Sequence, residues 1–233
     1  MSASNPRQQF RDGVKSGLPF IVVGMPFGML FGVVGMEAGL NLAEVMGFSV
    51  LVIAGTAQFA AVQLMVENAP TVIVLATALA VNLRMAMYSA ALAPHLSKVP
   101  FWRKLLMSYF LVDQSYAMSI QRYEDQPDLT LDEKVAFYTG VFVSFMPFWY
   151  IATYLGAVLG TAIPPEVGLD MALPLMFLAM IGPMLRTLAH MAAAFTSLVL
   201  GLVFAFLPWN LGLLVAALVA LLVGAEIERR MAK

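Results

Sequence analysis

Residues 71–93 read TVIVLATALAVNLRMAMYSAALA, an apolar run with one charge, Arg84, set well inside it. A bilayer's hydrocarbon core takes about 20 apolar residues per helix, so the run is long enough to cross. Its hydrophobicity is continuous rather than alternating, which excludes the strand of a membrane β-barrel and leaves a helix whose backbone satisfies itself in lipid. A guanidinium at the bilayer centre costs at least about 2.5 kcal/mol. Arg84 therefore needs a partner or a wet cavity, unless it lies near an interface and snorkels.

Seven further apolar stretches flank this one: Gly17 to Gly39, Ala43 to Val66, Leu105 to Ile120, Val135 to Gly160, Met171 to Thr187, His190 to Leu207 and Leu211 to Ala225. Of the 233 residues 61% are hydrophobic and 12% charged, against about 25% charged in a soluble domain. The fold class is all-α, a polytopic integral membrane protein of seven or eight transmembrane helices, with the lipid bilayer as its solvent. Residues 1–16 read as a cytoplasmic interfacial segment and 17–233 as a single transmembrane domain. Asn5-Pro6 signals a helix start, and Arg7, Arg11 and Lys15 place that segment, with the N-terminus, on the cytoplasmic side. The first apolar run is long enough to stay in the membrane, so no signal peptide is expected.

Positive charge also marks the loop with Lys98, Arg103 and Lys104 and the tail with Arg229, Arg230 and Lys233. Eight crossings put both termini inside and that loop outside. One early re-entrant stretch gives seven, with the loop inside and the tail outside. Met25-Pro26-Phe27 recurs as Met146-Pro147-Phe148, and Gly35 and Gly39 recur at the same offset as Gly156 and Gly160. Two similar halves follow, roughly 17–120 and 135–225. An inverted relation would place Pro- and Gly-broken helices at mid-membrane and needs an odd number of crossings before Val135, which favours the re-entrant count.

Gly24, Gly28 and Gly32 line one helix face around Pro26, as close helix packing with a proline kink demands. Amides freed near Pro26, Phe27 and Gly28 would equally suit a carboxylate. Gln58 and Gln63 are amides deep in an apolar run, either interhelical glue or a solute contact. Asn82, Arg84 and Tyr88 share one span. Asp113 is the acidic residue inside an apolar stretch away from its ends, fit to titrate, to bind an amine, or simply to pair with Arg84. Phe27, Phe59 and Phe148 beside the polar breaks would wall an apolar pocket, although most of the aromatic and methionine content reads as packing surface. Pro174 and Pro183 interrupt the sixth stretch, and Arg186 and His190 read as interfacial.

Other chemistries are poorly served. The sequence has no cysteine and two histidines, and carries no H-E-x-x-H, G-x-S-x-G or phosphate-binding Gly-Lys-Ser/Thr motif. No enzyme activity, cofactor or metal is expected. Nor is a nucleic-acid partner, since no basic block with interleaved aromatics occurs.

From about Gly17 to Ala225 the chain resembles the AzlC family, the large subunits of branched-chain amino acid exporters. The marks are Pro26-Phe27-Gly28, Ala54-Gly55 with Ala57-Gln58-Phe59, Asn82-Leu83-Arg84 with Tyr88 and Leu92-Ala93-Pro94-His95, Asp113, and Gly168-Leu169-Asp170. Met85 and Gln114 stand where that family commonly has a histidine and an acid, so no role is carried over to those two positions. The resemblance implies export of valine, leucine, isoleucine or their analogues across the bacterial cytoplasmic membrane, together with a small AzlD-like membrane subunit. On that basis the expectation is a secondary transporter with broken helices around Pro26 and Pro147. Arg84 or the Pro26–Gly28 amides would take a carboxylate, and Asp113 an ammonium or the coupling proton. A non-transporting membrane scaffold and a small-solute channel are the alternatives.

Overall fold

The computed structural model describes residues 5–160, 185, 187–208 and 211–231, and every regular element among them is helical. The elements are α1 (Pro6–Gly17), α2 (Phe20–Glu37), α3 (Leu42–Leu51), α4 (Gly55–Val66), α5 (Thr71–Leu96), α6 (Phe101–Tyr109), α7 (Asp113–Asp125), α8 (Leu131–Gly160), α9 (Leu188–Val203) and α10 (Leu211–Met231). Four of them, α2, α5, α8 and α10, are long and apolar enough to cross a membrane. Gly168-Leu169-Asp170, Pro174, Pro183 and Arg186 lie outside the described residues, as does the Met171–Thr187 stretch apart from Leu185 and Thr187.

Local chemistry sets the helix starts. The Asn5 side chain accepts from the Arg7 amide at 2.7 Å, and Pro6 occupies the first turn, where its missing donor costs nothing. Asn41 and Glu44 cap α3 reciprocally, at 3.0 and 2.8 Å. Thr130 and Glu133 do the same ahead of α8.

The chain divides into two compact units, one of Met1–Val62 with Val81–Ile163 and one of Gln63–Ala80 with Pro164–Lys233. In the first, α1 and α2 lie along α8, and glycine makes this possible. A Cβ on Gly156 would stand 1.9 Å from the Met29 carbonyl oxygen, and one on Gly32 2.2 Å from that of Thr153. Backbone rests on backbone. Gly24, Gly28 and Gly32 thus serve the close packing that their spacing predicts. In the second unit α9 and α10 pack together, with Gly212 against Phe204 and Gly224 against Ala193.

Three sequence expectations are corrected. First, α2 runs on through Pro26 and α8 through Pro147, so neither proline breaks its helix. A proline removes a donor and frees the carbonyl one turn back rather than an amide, and both prolines face outward. Second, the contacts from Gly24 with Phe145, through Gly28 with Ala152, to Gly32 with Ala157 rise together in number. α2 and α8 therefore run in the same direction, and the Met-Pro-Phe repeat does not relate them by inversion. With both as spans, that shared direction calls for an even number of crossings before α8.

Third, two stretches read as whole spans are each a pair of short helices. α3 and α4 have 10 and 12 residues, and α6 and α7 have 9 and 13. The chain leaves helical geometry around Ile53 and again around Leu111. Ile53 has φ 39°, a left-handed conformation that costs a β-branched residue of order 1–3 kcal/mol. At the second break Ser115 Oγ accepts from the Val112 amide at 2.9 Å and lies 3.0 Å from the Phe110 and Val112 carbonyl oxygens. The Tyr138 hydroxyl donates to the Met107 carbonyl at 2.6 Å. Side chains thus cover the backbone groups that the interruption frees.

Candidate functional site

The two breaks meet. Tyr109, the last residue of α6, donates its hydroxyl proton to the carbonyl of Val50 near the end of α3. On the other side of each break a helix begins, α4 at Gly55 and α7 at Asp113, and Arg84 of α5 reaches both. Its Nη2 donates to Thr56 Oγ1 at 2.7 Å, and its Nη1 stands 3.4 Å from Asp113 Oδ2. One turn along α5, Tyr88 donates to Asp113 Oδ1 at 3.0 Å and stacks on Tyr116 with ring centroids 4.1 Å apart. Asp113 at the head of α7 also gains from the positive end of that helix's dipole.

The Arg84 and Asp113 side chains are 27% and 44% exposed. The pair is therefore not sealed inside the protein. The first turn of α4 offers more. The Gln58 amide donates to the Ala54 carbonyl at 2.9 Å, and the amides ahead of it lead the helix, where such groups find no intrahelical acceptor. Anions gather at such ends.

Several buried polar atoms on α4, α5, α7 and α8 go without partners, Ser119 Oγ on α7 among them. Gln58 is completely buried, and both its amide atoms lack a hydrogen bond, as do Asn82 Oδ1, Arg84 Nε and Trp149 Nε1. Each costs about 1–3 kcal/mol if left so, and such groups are commonly met by ordered water or serve a function. α4 itself is held tightly from behind. A Cβ on Gly55 would meet the Phe27 ring at 2.3 Å and the Trp149 ring at 3.0 Å. Phe27 packs edge-on against Phe59, with centroids 5.1 Å apart.

The structure gathers Arg84, Tyr88 and Asp113 into one cluster, with Thr56 joining it and Gln58 one half-turn further along α4. Asn82 precedes Arg84 on α5. Gly28 is spent on packing, its would-be Cβ 3.2 Å from the Ala152 methyl and from the Trp149 carbonyl. Pro26, Pro147 and Phe148 face outward and are not brought to the cluster. Phe27 supports α4, and the expected wall of Phe27, Phe59 and Phe148 does not form. Thr56, Tyr109, Tyr116 and Trp149 were not legible as site residues.

A family model described as AzlC protein matches residues 19–163, which hold α2 to α8 and every residue of this cluster. The chain belongs to the AzlC family. It is also similar to an uncharacterized membrane protein of Archaeoglobus fulgidus, 26% identical over 223 residues covering 94% of this chain and 95% of that protein. No solved structure matches. With its long apolar helices, this AzlC chain is a multi-pass membrane protein. Within it the AzlC match contains both helix breaks and the residues that join them.

Proposed function

We propose that the chain is the large subunit of a secondary transporter that exports branched-chain amino acids across the bacterial cytoplasmic membrane. It works with a small AzlD-like membrane subunit and is driven by proton movement. The observation that carries this is Arg84 bridging Thr56 and Asp113 at the two helix breaks. A guanidinium and a carboxylate 3.4 Å apart present the mirror charges of a zwitterion. The solute's carboxylate goes to Arg84, which binds it bidentately, and to the leading amides of α4. Its ammonium goes to Asp113, displacing the internal pair. The family resemblance supplies the substrate class.

Helices of 9 to 13 residues are about 14–20 Å long, half of a bilayer core roughly 30 Å thick. On this reading each pair of short helices forms one crossing with its break near the midplane, where transporters hold their solutes. When the solute leaves, Asp113 takes a proton or returns to Arg84, and either event resets the cluster.

Labelled leucine counterflow in proteoliposomes, with the chain reconstituted alone and with its small partner, tests the proposal. Trans-stimulated uptake is expected. A scaffold gives no flux, and a simple channel gives flux without trans-stimulation.

A further inference from the structure

We infer that the cavity between α5, α6 and α8, lined by Leu92, Leu96, Met107 and Leu111 with Ser89 and Tyr138, is the compartment that receives the solute's aliphatic side chain and sets chain-length preference. The inference rests on the proposed function and adds to it the residues that select. Arg84, Tyr88, Leu92 and Leu96 follow one another at four-residue spacing, so one face of α5 passes from charged to polar to apolar. Leu92 and Leu96 are 4% and 9% exposed. Leu92 sits one turn, about 6 Å, beyond Tyr88. Leu92 is two turns, about 12 Å, beyond Arg84, so a leucine side chain of three carbon-carbon bonds of about 1.5 Å enters this compartment from an α-carbon held on the Asp113 and Tyr88 side of the pair.

The second wall arrives from the break itself. Leu111 lies in the segment between α6 and α7, two residues before Asp113, and Met107 lies one turn earlier on α6. The Tyr138 hydroxyl is tied to the Met107 carbonyl at 2.6 Å, which fixes the third wall from α8. The cavity measures about 170 Å³. About 150 Å³ is enough for benzene, so an isobutyl or sec-butyl group fits against the leucines and Met107, with Ser97, Ser108 and Lys104 completing the lining. A zwitterion at Arg84 and Asp113 with an aliphatic tail along α5 thus meets matching chemistry at both ends.

The test is competition against labelled-valine counterflow in proteoliposomes. In the unaltered protein, inhibition is expected to strengthen from alanine through 2-aminobutyrate and norvaline to leucine and to fall at tryptophan. Each added methylene is worth about 10-fold or more in a fitted apolar pocket. Leu92→Ala and Met107→Ala enlarge the cavity and shift preference from leucine toward phenylalanine by about 10-fold, while Leu198→Ala on α9 leaves the ranking unchanged. Absent trans-stimulated flux in the unaltered protein removes the proposed function itself. Flux with a flat aliphatic series, or with a ranking that neither Leu92→Ala nor Met107→Ala alters, overturns the side-chain compartment alone.

Discussion

Replacing Asp113 by asparagine changes the charge of the cluster and little of its shape. The asparagine carbonyl keeps the place of Oδ1 and still accepts from Tyr88, as the carboxylate does at 3.0 Å. Arg84 keeps Thr56 at 2.7 Å and loses an anion at 3.4 Å. With water reaching the pair, as a solute site requires, the folding cost is about 1 kcal/mol or less, so the protein stays in the membrane. Binding loses more. A charge-assisted hydrogen bond, about 1.5–3 kcal/mol, is roughly twice a neutral one, so the ammonium forfeits about 1–2 kcal/mol. That weakens half-saturation about 5- to 30-fold. A pH gradient across the vesicle should no longer drive uptake, because the group that would carry the proton is gone. Counterflow and gradient-driven uptake of labelled leucine, with thermal unfolding in detergent as the control, measure both. Unchanged half-saturation together with unchanged response to pH would refute the role of Asp113. Exchanging the charges, Arg84→Asp with Asp113→Arg, separates a structural pair, which recovers in stability and function, from a solute site, which recovers in stability only.

Gly156→Ala should lower stability by about 1–3 kcal/mol in thermal unfolding, because its Cβ meets the Met29 backbone rather than a movable side chain. Gly47→Ala, within α3 and with nothing inside 4 Å, should instead hold or raise stability by up to about 1 kcal/mol. Arg122 donates to Asp12 at 2.6 Å and to Gln9 at 3.1 Å and lies over the Phe137 ring. Arg122→Lys keeps the charge but not the planar fork, and α1 amides should exchange hydrogen roughly 10-fold faster for a loss of about 1.4 kcal/mol.

What the sequence revealed follows from how each feature is encoded. A long apolar run can be seen because lipid demands it residue by residue, and α2, α5, α8 and α10 fall where such runs were read. Arg84 and Asp113 stood out because charge is rare in such runs, and their pairing was anticipated from cost alone. Proline, the residue that most often interrupts a helix, points to the wrong positions for the breaks. In α2 and α8 an outward-facing proline is tolerated inside a helix that neighbouring glycines hold against its partner. The interruptions around Ile53 and Leu111 carry no proline. They depend on the left-handed Ile53, on Ser115 covering local backbone groups and on Tyr109 reaching Val50, contacts between residues up to 59 positions apart. Such partners have no local signature. For the same reason Thr56 was missed, since nothing in Gly55-Thr56 announces an arginine 28 positions away. The cavity lies one turn beyond Tyr88 and not beside the prolines, because the direction of the α5 face decides it.

Whether a solute reaches the Arg84 and Asp113 pair can be measured at Thr56. The chain has no cysteine, so Thr56→Cys introduces a unique thiol beside the guanidinium. Its reaction with a small water-soluble thiol reagent in reconstituted vesicles is predicted to proceed and to slow several-fold when leucine is added, while glutamate leaves the rate unchanged. A thiol inert from both sides of the membrane, or one that reacts at the same rate with and without leucine, would contradict a solute site at the helix breaks.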